Sequence, residues 1–203
     1  MGRRASSRAR AIGFRAPIAL LALWSCASGP LVETERGFRH ARHDYRVGLP
    51  PSAEPPWRRV RVEGSILAYG RPGPIRMTLS SRCGLPLTTP EVLARHLRIG
   101  IPAHTVREQG PVTAGDLSGW QQVFDVEGNG AVVRVKTVTF VVEPCVLDWT
   151  LSARGGRGFE AAERDFDAWW HTLRVDAMSE EAAAREGEGV SAHAASRDGT
   201  GAP

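Results

Sequence analysis

An α+β fold is predicted here, a single antiparallel sheet of about six strands packed by two helices. Between residues 45 and 151 apolar side chains recur mostly at every second position, the period of a strand with one buried face. Two segments depart from it with helical spacing, one in mid-chain and one at the end of the series. Strands that follow one another through short connections usually pair with each other, which favours one antiparallel sheet.

Tyr45-Arg46-Val47-Gly48-Leu49 alternates and stops at Pro50-Pro51. Val60, Val62, Ile66 and Ala68 alternate with Arg59, Arg61, Glu63 and Ser65. Ile75, Met77 and Leu79 do the same against Arg76, Thr78 and Ser80. Thr89-Pro90-Glu91 then has the form of a helix start: a hydroxyl cap, a proline in the first turn and an early acid. Val92, Leu93, His96 and Leu97 follow on one expected face before Gly100. Trp120, Phe124 and Val126 mark a further strand, closed by Gly128-Asn129-Gly130, whose Asn-Gly suits a tight hairpin. In the β-branched run Val132–Val142 the apolar phase slips near Lys136 and Thr137, which predicts a bulge or burial on both faces. After Glu143-Pro144, Cys145, Leu147, Trp149 and Leu151 alternate with Val146, Asp148, Thr150 and Ser152. A second helix is expected over about 159–173. There Phe159, Ala162, Phe166, Trp169, Trp170 and Leu173 form one stripe opposite Glu160, Glu163, Arg164, Asp165 and Asp167.

Four regions are expected along the chain. Residues 1–25 carry Arg3, Arg4, Arg8, Arg10 and Arg15, no acid, and then a short apolar run, the form of a secretory signal peptide. That run is about half the ~20 residues a spanning helix needs. Residues 26–42 are expected to be a lipidated N-terminus and flexible tether, and 43–175 the globular domain. Residues 176–203, with Glu180, Glu181, Glu186 and Glu188 and no aromatic residue, are expected to be a disordered acidic tail. Without the signal the balance is 21 basic to 22 acidic residues, so the basic pI belongs largely to residues 1–25. The prompt for a nucleic-acid partner falls away with it.

Leu23-Trp24-Ser25-Cys26 resembles the bacterial lipobox. The resemblance implies that Cys26 takes a diacylglycerol and becomes the mature N-terminus, and that Ala27, not being aspartate, directs the chain to the outer membrane, facing the periplasm. With Cys26 lipidated, the odd cysteine count resolves into one pair, Cys83 and Cys145. Those two are free to form a disulfide in an oxidising periplasm. Further along, the Tyr45–Pro50 opening, Trp57, the "GDLSGWQ" strand and the terminal "FDAWWHTLRV" helix resemble the PsbP-like fold. "SRC", "LARHL" and "CVLDW" are similar to lipoproteins of delta-proteobacterial type over about residues 44–175. What these likenesses imply is a binding or accessory domain, not an enzyme, with a membrane contact through the anchor and a protein or lipid partner in the envelope.

The search for chemistry returns little. His40 and His43 have ligand spacing but no third ligand in sequence reach, and they read as a solvated basic segment, so no metal is expected. No Gly-x-Ser-x-Gly or Ser-x-x-Lys is present, and Gly155-Gly156-Arg157-Gly158 lacks phosphate-loop spacing, so no cofactor is expected either. The polar residues singled out for ligand contact are Arg82, His96 and Asp148. A Cys83–Cys145 bond would bring Arg82 beside Asp148. The rival to an accessory domain is a small periplasmic hydrolase using His96 with a carboxylate.

Overall fold

The computed structural model describes residues 31–175 apart from 87, 102, 103 and 129. The expected signal segment, Cys26 and the expected acidic tail lie outside the described residues. The elements are β1 (Leu31–Thr34), β2 (Gly37–His40), β3 (Tyr45–Gly48), β4 (Arg58–Arg59), β5 (Leu67–Arg71), β6 (Ile75–Cys83), α1 (Pro90–His96), β7 (His104–Ala114), β8 (Leu117–Gly128), β9 (Ala131–Val142), β10 (Cys145–Arg154), α2 (Arg157–Trp170) and β11 (Arg174–Val175).

The fold is mixed, with two helices and antiparallel pairing as expected, but the strands divide between two sheets. Seven run in the order β4-β5-β6-β10-β9-β8-β7, and four make a small sheet in the order β1-β2-β3-β11. The single six-stranded sheet is therefore corrected. The expected tether is corrected too over its described part, because β1 and β2 occupy residues 31–40 and Phe38 is buried in the core. The two strands are so short that Arg39 alone between Phe38 and His40 carries the period-two signal.

Register explains the large sheet. Trp149 pairs with Leu79 on one side and Val138 on the other, so Leu79, Trp149, Val138 and their every-second neighbours share one face. That face carries Met77, Leu147, Leu151 and Phe140, all fully buried. Helix α2 packs there through the expected stripe, with Phe159, Ala162, Phe166, Trp169 and Trp170 buried and Leu173 just beyond its end. Helix α1 packs instead on β8 and β9 from the opposite face, where Gln122 donates to the Ala94 carbonyl at 2.7 Å. Thr89 caps it as read from the sequence, accepting from the Val92 N–H at 3.4 Å. Its buried residue is Ala94, whereas Val92 and His96 are exposed, so the expected apolar face is rotated.

The phase slip in β9 is burial on both faces, since Lys136 through Phe140 are all buried and the pairing with β8 and β10 is unbroken. Val133 and Val135 face the α1 side, and Val138, Phe140 and Val142 face α2. Lys136 lies on the α2 side, where Glu163 and Asp167 each accept from its ammonium at 2.9–3.0 Å. Burial pushes its pKa down, but the hydrogen bonds and charges of these two carboxylates outweigh that and hold it above the usual lysine value. The bulge is elsewhere, between Val106 and Glu108 on β7.

Candidate functional site

Cys83 and Cys145 are register partners on β6 and β10, and the structure joins them in a disulfide. The next pair along, Arg82 and Val146, leads to Asp148 on the α1 side of the sheet. Arg82 Nη2 donates to Asp148 Oδ2 at 2.9 Å, and Thr139 Oγ1 donates to Oδ1 at 2.7 Å. Burial pushes the Asp148 carboxyl up, only partly offset by the Thr139 hydrogen bond and the Arg82 charge. Two of the three expected contact residues are thus brought together. Their guanidinium is half-exposed and their carboxylate nearly closed off, a surface cation held by a buried anchor.

His96 is not part of that group. It is exposed in the last turn of α1, and among the described residues no carboxylate bonds to it. Cys83 is committed to the disulfide and offers no free thiol.

His40 is a correction. Far from being solvated, it is 2% exposed and lies under the small sheet. Its Nδ1 accepts from the backbone N–H groups of Arg42 (3.2 Å) and His43 (3.1 Å), and its ring stacks on His43 at 4.6 Å. Ligand atoms of His40, His43 and Cys83 lie within 4.8 Å of one another. The trio does not suit a metal: the Cys83 sulfur is spent in the disulfide, and with Nδ1 accepting, the ring proton must sit on Nε2.

The same geometry resists protonation. Burial, then the charges of His43 and Arg42, push the His40 pKa below its usual 6.5. The unfolded chain therefore takes up a proton near pH 6.5 while the folded one does not. Stability from neutral His40 is complete above that pH and falls away as the pH drops below it. His40→Asn keeps an acceptor for the two N–H groups without a titrating ring. Urea midpoints at pH 7.5 and 5.5 should fall further for the native chain than for H40N; equal falls would remove His40 as the cause.

A groove of about 770 Å³ opens between the small sheet and the end of α2. Phe38, Val47 and Gly48 contribute from the sheet, Ala168, His171 and Thr172 from the helix end. Gly48 is clamped there: its N–H donates to Thr172 Oγ1 at 2.9 Å and its carbonyl accepts from Trp169 Nε1 at 3.0 Å. A Cβ at Gly48 would meet the Thr172 side chain at 3.0–3.2 Å. The sequence reading missed this groove because five of its twelve lining residues come from residues 31–40.

No protein-family model and no curated protein matches the chain. Among solved structures, the cyanobacterial PsbP protein CyanoP of Synechocystis sp. PCC 6803 is 13% identical at a TM-score of 0.51, over 79% of this chain and 100% of that one. The fold is PsbP-like. LpqN, involved in cell envelope biogenesis of Mycobacterium tuberculosis, aligns at 18% identity and TM-score 0.45, over 66% of this chain and 83% of its own. The yeast Ran-binding protein Mog1p aligns at 7% and 0.47, over 65% and 90%.

Within the PsbP-like domain the chemistry-bearing groups thus fall in three places. Arg82 and Asp148 lie on the α1 side of the sheet, His40 and the disulfide between the sheets, and the groove beside α2. Tyr45 links the second of these to the sheet, its hydroxyl donating to Ser81 Oγ at 2.9 Å. The expected Arg82–Asp148 neighbourhood is present; the expected company of His96 is not.

Proposed function

We propose that the chain is an exported lipoprotein, anchored through Cys26 in the outer membrane and facing the periplasm. Its PsbP-like domain serves as a non-catalytic accessory there. It binds a protein or lipid partner of the envelope and acts as an auxiliary to a transport complex. The observation that carries this reading is the Cys83–Cys145 disulfide. Structural disulfides belong to oxidising compartments, and pairing these two leaves only Cys26, the lipobox cysteine, for lipid. No helix among the described residues is long and apolar enough to cross a membrane. Arg82, held by the buried Asp148, and the groove beside α2 are the two surfaces offered to a partner.

Cys26→Ser separates anchoring from folding. The native chain should fractionate with membranes and resist salt extraction, whereas C26S should appear in the soluble periplasmic fraction with its disulfide intact. Equal retention of both in membranes would remove Cys26 as the anchor. For the accessory role, crosslinked detergent extracts should yield a transport-complex subunit with the native chain and less of it with Arg82→Glu. Recovery no better than an unrelated lipoprotein's would sink that role.

A further inference from the structure

The outer face of the small sheet carries three arginines in one cross-strand row. Arg39 of β2 is the register partner of Arg46 of β3, and Arg46 is the partner of Arg174 of β11. All three residues are exposed. Like charges placed opposite one another across strands destabilise the pairing, so the row does nothing for the sheet itself. Asp44 approaches Arg39 only at 3.9 Å, with both side chains half or more in water, a contact of little strength. Glu35 lines the groove beside the row, and Glu33 faces Arg59 instead at 3.5 Å. Arg46 has an interaction of its own. Arg174 donates to the carbonyls of His171 and Leu173 at 2.8 and 2.7 Å, which seats its guanidinium at the groove.

Next to the row on the same face stand Gly37 and its partner Gly48, and Gly48 lines the groove described above, whose volume falls in the range of small-ligand sites. Arg36, at the tip of the first hairpin, adds a fourth cation to its lining. The row also continues outward to Val32, the partner of Arg39. Cys26 stands six residues before Val32, a span of at most about 20 Å of extended chain. A lipid on Cys26 would therefore hold this face within reach of the bilayer.

We propose that the arginine face of the small sheet lies on the membrane and takes the phosphate head groups of anionic phospholipids into its groove. This rests on the lipoprotein reading for the anchor's position. Charge complementarity and proximity to the anchor select the occupant, and each arginine near an anionic surface strengthens binding by roughly fivefold.

The test uses the chain from residue 26 onward carrying Cys26→Ser, so that no acyl group contributes. It is sedimented at low salt with vesicles of phosphatidylcholine alone and of phosphatidylcholine with phosphatidylglycerol. Binding to the anionic vesicles should be at least about tenfold stronger, and Arg39→Gln with Arg174→Gln should lower it by roughly 25-fold. Ala168→Trp fills the groove from an exposed helix position without touching the core or the charges, and should weaken binding as well. Equal binding to both vesicles, or full binding by the folded arginine variant, overturns the proposal. A tenfold gain on deleting residues 176–203 would give the row to the acidic tail, and loss to inorganic phosphate at matched ionic strength would give it to free phosphate; both also overturn it. Because the probe is unacylated, a negative result leaves the Cys26 anchor standing, and an unlipidated Cys26 leaves the vesicle result standing.

Discussion

Trp169→Ala is expected to cost about 3–5 kcal/mol, the largest loss of any single truncation considered, and to loosen the small sheet first. Trp169 is fully buried, meets Tyr69 edge-on at 5.3 Å and donates from Nε1 to the Gly48 carbonyl. It therefore joins α2, the large sheet and β3 at one point. Truncation removes the ring, leaves a cavity among buried neighbours, and strips the Gly48 carbonyl of its side-chain donor. Trp169→Phe keeps most of the volume and loses chiefly the hydrogen bond, for which about 1 kcal/mol is expected beyond repacking. Urea unfolding of both variants checks the order. A loss below about 1 kcal/mol for W169A would mean that α2 does not hold the small sheet in place.

Loss of the disulfide is expected to cost about 2–4 kcal/mol, because the bond closes a loop of 62 residues in the unfolded chain. The native state should change little, since β6 and β10 remain paired along eight residue positions with the cysteines at one end. Cys83→Ala with Cys145→Ala should therefore unfold at lower urea with an unchanged spectrum. Reductant should bring the native chain to the same midpoint and leave the double variant unmoved. An equal response of both chains to reductant would show that the bond contributes nothing to stability.

What the sequence made legible follows from how strongly each element is patterned. The α2 stripe, the Thr89 cap and strands β6, β8, β9 and β10 are long and half-buried, and their period survives in a single sequence. Strand β7 was not legible. It is an edge strand whose residues 104–109 are all exposed, and Pro111 within it argues against a strand until it is seen to pair on one side only. The small sheet was half legible: Tyr45, Arg46 and Val47 alternate, but its other three strands are two to four residues long. That shortness hid the groove and the arginine row, whose members come from residues 39, 46 and 174. The rotated face of α1 has a similar origin, because seven residues are too few for periodicity to separate Ala94 from Val92. Arg82 and Asp148 could be paired in advance because the cysteine count tied their strands together, whereas nothing tied His96 to anything.

The most direct test of the account is the intact mass of the protein from the membrane fraction, taken with and without reduction and alkylation. The account predicts a chain that begins at Cys26 and carries acyl groups, with Cys83 and Cys145 alkylated only after reduction. An unacylated chain whose thiols alkylate without reductant would contradict both the anchor and the compartment.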